Sequence, residues 1–171
     1  MSDSHLPFWP SWAPRHLWVP ETSLYYNLEV SAARFPAKPF IIFYDTRISY
    51  RRFRQETEQV AGWLQQACGV KKGDRVLVYM QNSPQFMIAF YGVLRAGAVV
   101  VPVNPMNLTG ELRHYVHDSG AKVAFAAQEL YSRMQPLMAE GLDRIVVATY
   151  SDYLEAATDL KVPDFVAAPR Q

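Results

Sequence analysis

Few side chains in this 171-residue chain stand at spacings that support chemistry. His114, His117 and Asp118 fall within one helical stretch, and imidazoles three residues apart on a helix can share a metal ion. A metal site needs further ligands and hydrogen-bonded support, and no other stretch supplies a group that can be matched to these two, so the cluster reads as a solvated helix face. Cys68 is the single cysteine, which rules out an internal disulfide or a zinc cluster. With no base assignable beside it, it reads as a buried structural thiol at a helix end. Arg133 sits on a helix after a strand, where a guanidinium either meets an anionic ligand or is plain surface charge. In open α/β sheets ligands gather at the carboxyl ends of the strands. Here those ends carry Gln81-Asn82, Val103-Asn104-Pro105 and Ala126-Ala127-Gln128, and none is a catalytic constellation. No GxGxxG follows the first strand, and no GxxxxGK followed by Ser or Thr occurs. Nor does the chain hold another Gly/Ser/Thr-rich phosphate loop or a GxSxG elbow.

The elements that must position these ends centre on Gly73–Asn104. Arg75–Met80 is a short apolar run rich in β-formers. Ser83 caps a helix and Pro84 suits its first position, where a missing N–H costs nothing. Phe86, Met87, Ile88, Phe90, Tyr91, Val93 and Leu94 make that helix apolar nearly all round, which predicts burial on most sides. Gly97 is a left-handed stop, and Ala98–Val103 is a second β-branched run. Two apolar strands joined by a helix predict a right-handed crossover in a parallel sheet with both faces covered.

Upstream, a helix is predicted from Thr22 or Ser23 to Arg34, with Leu24, Leu28, Ser31/Ala32 and Phe35 on one face. Phe40–Tyr44 and Ile48–Tyr50 read as a β-hairpin turning at Asp45-Thr46-Arg47. Ser49 caps a helix over Tyr50–Ala67 with Phe53, Thr57, Val60, Ala61 and Leu64 at helical spacing. Downstream come a helix capped by Thr109 and ended by Gly120, a strand Lys122–Ala127, a helix Glu129–Ala139 and a strand Asp143–Tyr150. The pattern βαβαβαβ predicts an α/β fold: a doubly wound, mostly parallel sheet flanked by helices, with a small β-hairpin.

The expected organisation is an arm over residues 1–22, an α/β unit over 23–152 and a connecting segment over 153–171 that loses periodicity around Pro163 and Pro169. In the arm, Pro7, Pro10, Pro14 and Pro20 forbid a continuous helix, while Phe8, Trp9, Trp12, Leu17 and Trp18 need a surface to lie on. That surface is the chain's own domain, a partner subunit in a homodimer, or a membrane boundary. Half of the residues are hydrophobic and 19% charged, which describes a globular chain with a proper core. A net charge of +1 predicts no strong attraction to nucleic acid or acidic lipid. No run of 18 apolar residues and no signal-peptide pattern occurs, so the expectation is a cytoplasmic protein with peripheral membrane contact at most.

The ordered phrases of the chain resemble the beginning of the AMP-forming adenylate-forming superfamily, which includes acyl-CoA synthetases, luciferases and peptide-synthetase adenylation domains. The matching residues are RISYRRF (47–53), GVKKGDRVLVYMQNSPQFMIAFYGVLRAGAVVVPVNP (69–105) and LTGELRHYVHDSGAKVAF (108–125), preceded by Val19-Pro20, Leu24 and Ala33-Arg34-Phe35-Pro36. Asn104-Pro105 is similar to the Val-Asn-Pro phrase of medium- and long-chain fatty-acid–CoA ligases, whereas peptide-synthetase domains tend to carry Asp-Pro there. Arg52-Phe53 departs from the usual Glu-Leu. The family's phosphate loop, its adenine- and ribose-binding motifs, its hinge and its C-terminal lysine have no counterpart in this sequence.

The resemblance implies the first subdomain of a fatty-acid–CoA ligase that is inactive by itself. The complete enzyme would use ATP, Mg²⁺ and coenzyme A to turn a fatty acid into acyl-CoA through an acyl-adenylate. None of these ligands is expected to bind tightly to this chain alone. It implies no catalytic residue and no metal ligand here. It places Asn104, Pro105 and Met106 near the pantetheine tunnel and Arg133 near the 3′-phosphate of coenzyme A, with Gln128 and Ser132 as alternatives. Two other readings of the residues stay open: a free-standing binding or interaction module, and a nucleotide-binding response or flavodoxin-like domain.

Overall fold

In a computed structural model, which describes residues 6–171, four parallel strands form the centre of the molecule. They are β3 (Arg75–Tyr79), β4 (Val99–Val103), β5 (Val123–Ala127) and β6 (Arg144–Ala148), in the order β4-β3-β5-β6. A separate antiparallel hairpin, β1 (Pro39–Phe43) and β2 (Thr46–Ser49), lies before them. The fold is therefore the α/β arrangement expected, a parallel sheet flanked by helices with a small hairpin. The two inner strands are buried along nearly their whole length, as an all-apolar run requires. Strand β4 is an edge, and Val99 is exposed there. The edge position also accommodates Pro102, which has no N–H to give a further neighbour.

Chain order and sheet order together set the layers. The step from β3 to β4 runs one way along the sheet and the step from β4 to β5 runs back past β3. Right-handed crossovers therefore put α3 (Pro84–Arg95) on one face and α4 (Thr109–Ser119) on the other. The packing agrees. Helix α3 lies on α1 (Leu24–Arg34) and α2 (Tyr50–Gln66), whereas α4 packs on α5 (Tyr131–Met134) and the 3-10 turns that follow it. Gly92 of α3 makes the α2–α3 approach possible, because a β-carbon there would fall within 2.4 Å of Val60 Cγ1. A second apolar cluster (Tyr25, Leu28, Ile48, Phe53, Ile88) joins α1, the hairpin, α2 and α3.

Several helix ends follow from local chemistry as expected. Ser49 Oγ accepts from the Arg52 amide at 3.3 Å, and Ser83 Oγ from the Phe86 amide at 3.1 Å. Gly97 takes a left-handed φ of 76° just after α3. Other expectations are corrected. The buried face of α1 is Tyr25, Leu28 and Ala32, so Leu24 and Phe35 face solvent. The hairpin turns at Tyr44-Asp45, whose φ values of 44° and 64° build the left-handed pair that matches strand twist, and Thr46 and Arg47 belong to β2. Thr109 does not cap α4. Leu108 holds the cap position, Glu111 accepts from its amide at 2.8 Å, and Thr109 Oγ1 instead donates to the Arg133 carbonyl at 3.0 Å. The helix expected over Glu129–Ala139 is a 3-10 turn (Gln128–Leu130), the short α5 and a second 3-10 stretch (Gln135–Glu140). Pro136 has no N–H for an α-helical bond to Ser132 and would crowd that turn.

The two ends of the chain lie differently. In the described part of the arm Phe8, Trp12, Leu17 and Trp18 are exposed. Residues 153–171 include α6 (Asp164–Ala167), whose Val166 is buried in the main core.

Candidate functional site

The segments leaving β3 and β5 turn to opposite faces of the sheet, which opens a crevice between their carboxyl ends, the place where ligands enter such sheets. A hollow of about 320 Å³ lies there. Gln81 from the end of β3, Pro105 and Met106 from the loop after β4, and Glu129, Leu130 and Arg133 after β5 line it, closed on one side by Phe165 of α6. Three of the four residues singled out for coenzyme A, namely Pro105, Met106 and Arg133, thus line one hollow. Asn104 is not in its lining; its side chain accepts from the Met106 amide at 2.9 Å and shapes the loop instead.

Arg133 is steadied against that loop. Its Nη1 lies 3.3 Å from the Pro105 carbonyl and 3.5 Å from the Asn107 carbonyl. The Tyr79 hydroxyl reaches the same pair, 2.5 Å from Asn107 O and 3.3 Å from Pro105 O. Glu129 lines the hollow four residues before Arg133. Partial desolvation of its carboxyl raises its pKa, opposed by its own backbone amide, by Tyr150 and by the positive charge of Arg133. Tyr150 is buried, which raises its own pKa, and its hydroxyl accepts from the Gln81 amide at 2.8 Å, tying the end of β3 to the segment after β6. Of the alternatives, Gln128 is engaged by Thr149, Pro169 and Gln171, and Ser132 is exposed outside the lining.

The remaining candidates stand apart from this hollow. His114, His117 and Asp118 are exposed on α4. His117 Nε2 lies 3.8 Å from Glu140, and Arg113 already holds Glu140 through Nε and Nη2, so this is a solvated face. Among the described residues no group of three or more His, Cys, Asp or Glu could hold a metal ion. Cys68 packs beside the main core, and burial raises its thiol pKa despite the nearby Arg144 charge. No helix of the described residues is long and apolar enough to cross a membrane.

The sequence-level reading passed over Tyr79 and Glu129 as site residues. Tyr79 lies in the apolar run, and its hydroxyl is the one side-chain oxygen or nitrogen between Val76 and Met80 to mark it.

Known proteins resemble the chain in sequence and in fold. The chain is 33% identical over 156 residues to the long-chain-fatty-acid–CoA ligase of Bacillus subtilis, covering 91% of this chain and 28% of that protein. It is 35% identical over 137 residues to the ligase of the same description from Yersinia pestis, covering 80% and 24%. Residues of the rat long-chain fatty acid transport protein 2 match at 30% identity over 151 residues, covering 86% and 24%. This chain thus spans about a quarter of the length of the curated relatives it matches. Among solved structures, a long-chain-fatty-acid-CoA ligase from Archaeoglobus fulgidus superposes with a TM-score of 0.68 at 27% identity, over 77% of this chain and 28% of that one. The anthranilate CoA ligase AuaEII shares the fold, with a TM-score of 0.72 at 22% identity, over 80% and 28%. The family described as AMP-binding enzyme matches residues 28–168, which hold the whole sheet and every residue of the hollow, and the chain belongs to that family.

Proposed function

We propose that this chain is the amino-terminal α/β unit of an AMP-forming fatty-acid–CoA ligase and forms the wall of its active site that faces coenzyme A. The observation that carries the reading is the similarity to long-chain-fatty-acid–CoA ligases over 91% of the chain. In the complete reaction a fatty carboxylate attacks the α-phosphorus of ATP and pyrophosphate leaves. The thiolate of coenzyme A then displaces AMP and a thioester forms.

The residues of this chain fit the coenzyme A end of that reaction. Arg133 offers a guanidinium to a phosphate, and Pro105 and Met106 give the apolar side along which a pantetheine arm would run, with Asn104 shaping their loop. Mg²⁺ would spread phosphate charge, yet no residue set described here fits it. The sequence also holds no phosphate-wrapping loop for ATP, so no step of adenylate formation falls to these residues.

Pyrophosphate exchange with ATP and a long-chain fatty acid tests the reading. The chain alone is expected to give none. A folded chimera with residues 28–168 in place of the matching segment of the Bacillus subtilis relative is expected to exchange. Exchange by the chain alone, or a folded chimera without exchange, overturns it. The exposed aromatic arm is read as a contact for a second copy of the chain. Deleting residues 1–20 should then lower the mass in light scattering toward the monomer; an unchanged mass with lost vesicle binding assigns the arm to a membrane boundary.

A further inference from the structure

Arg133 is held by one corner of its guanidinium. Nη1 faces the Pro105 and Asn107 carbonyls, while Nε and Nη2 have no hydrogen-bond partner among the described residues. Glu129 shares the hollow but makes no ion pair with Arg133 within 4.0 Å. A guanidinium grips phosphate best through two parallel N–H groups, and the Nε–Nη2 edge is such a pair. Its direction depends on where Nη1 is anchored. Nη1 has three acceptors, the Pro105 and Asn107 carbonyls and the hydroxyl oxygen of the fully buried Tyr79, which itself reaches both carbonyls. Its hydroxyl has one proton to donate. The Asn107 carbonyl, at 2.5 Å, accepts it, which pins that carbonyl and leaves the hydroxyl oxygen to accept from Arg133 Nη1 at 3.5 Å.

We propose that Tyr79 is a positioning residue for Arg133: by donating to the Asn107 carbonyl it fixes the 105–107 loop, with its own oxygen it completes the set of acceptors that anchors Nη1, and it so presents the Nε–Nη2 edge to a terminal phosphate of the ligand in the hollow. The inference deepens the coenzyme A reading above and rests on it. Without the hydroxyl the Asn107 carbonyl loses its 2.5 Å donor and Nη1 loses one of its three acceptors, the fork is free to swing, and a phosphate monoester meets it in the wrong orientation. The contact is local, so the rest of the ligand is unaffected.

Coenzyme A differs from 3′-dephospho-coenzyme A by that phosphate alone, and titration calorimetry of both against this chain, at the millimolar concentrations that weak binding requires, reads the effect. The unaltered chain is expected to prefer coenzyme A. R133Q is expected to erase a preference of about tenfold or more, the scale of a charge-assisted pair. Y79F keeps the ring and removes only the hydroxyl; it is expected to weaken coenzyme A by about three- to tenfold and leave the dephospho form unchanged. If R133Q erases the preference and Y79F weakens both ligands equally or neither, the positioning role of Tyr79 is overturned while the ligand reading stands. If the unaltered chain has no preference, or R133Q keeps it, the ligand reading falls and takes the inference with it. Should Y79F not fold, nuclear magnetic resonance of the unaltered chain decides. Adenosine 3′,5′-bisphosphate should shift the Arg133 Nε–H signal while the Tyr79 hydroxyl proton stays protected and in place; a hydroxyl exchanging freely with water overturns the role.

Discussion

The arm before α1 and the segment after residue 152 look alike in sequence and behave oppositely in the fold. Both contain prolines beside apolar residues, and neither has the periodicity of a long helix or a strand. Yet Trp18 is 100% exposed and Phe8 88%, whereas Val166 is 6% exposed. Apolar content does not separate them, since the arm is the richer in aromatics. Matched polar partners do. The Glu155 and Ala156 amides both donate to Thr46 Oγ1, at 2.9 and 3.0 Å. Arg52 grips Glu155 through Nη1 and Nη2, each at 2.7 Å, and Thr158 Oγ1 donates to Asp45 Oδ2 at 2.6 Å. Ser151 Oγ donates to the Ala168 carbonyl, and the Gln171 amide to Gln128 Oε1. A segment without regular structure stays in place when its backbone groups find partners on the body of the domain.

The contrast can be broken most forcefully by removing residues 153–171. That uncovers the site of Val166, removes both amides that Thr46 Oγ1 accepts from and breaks the Arg52–Glu155 pair, and it should cost at least about 3 kcal/mol in urea unfolding. Thr46→Val should cost about 1–3 kcal/mol, because one hydroxyl serves two amides that would lose their acceptor; the unfolding midpoint measures it, and no change would place the anchor elsewhere. A smaller effect comes from the Arg52–Glu155 pair, whose side chains are a third to a half exposed. Glu155→Gln should cost about 0.5–1 kcal/mol at neutral pH after solvent screening. The hydrogen bonds from Arg52 hold the Glu155 carboxyl below its ordinary pKa. Its contribution is therefore present above the ordinary carboxylate value and is lost as pH falls through the lowered one. Stability measured from pH 7 to pH 3 should fall less steeply in E155Q than in the unaltered chain. Smallest of all, deletion of residues 1–20 should shift stability by no more than about 0.5 kcal/mol. A larger loss would show that the arm braces the domain after all.

The same contrast explains how much could be read before the structure. Ser49, Ser83-Pro84 and Gly97 acted where they stand because a cap or a left-handed stop needs only neighbours in the chain. Thr109 looked like another cap but turned to the Arg133 carbonyl, a partner 24 residues away. The Tyr44-Asp45 turn has neither glycine nor asparagine to mark it; Thr158, from the far end of the chain, holds Asp45 there. At the hollow, Pro105, Met106 and Arg133 were legible because strand ends and the helix start after β5 must gather at one edge of such a sheet. Tyr79 was not, since nothing near it in sequence says that its hydroxyl meets the loop returning from β4.

Apolar runs, caps and turn residues dictated the strands, most of the helices and the parallel class of the sheet, because each depends on contacts a few residues long. Three-dimensional assembly alone decided which strand became an edge, which end of the chain lies against the domain, and which donors surround Arg133. Those outcomes rest on hydrogen bonds between residues 24 to 110 positions apart, whose partners no local pattern names.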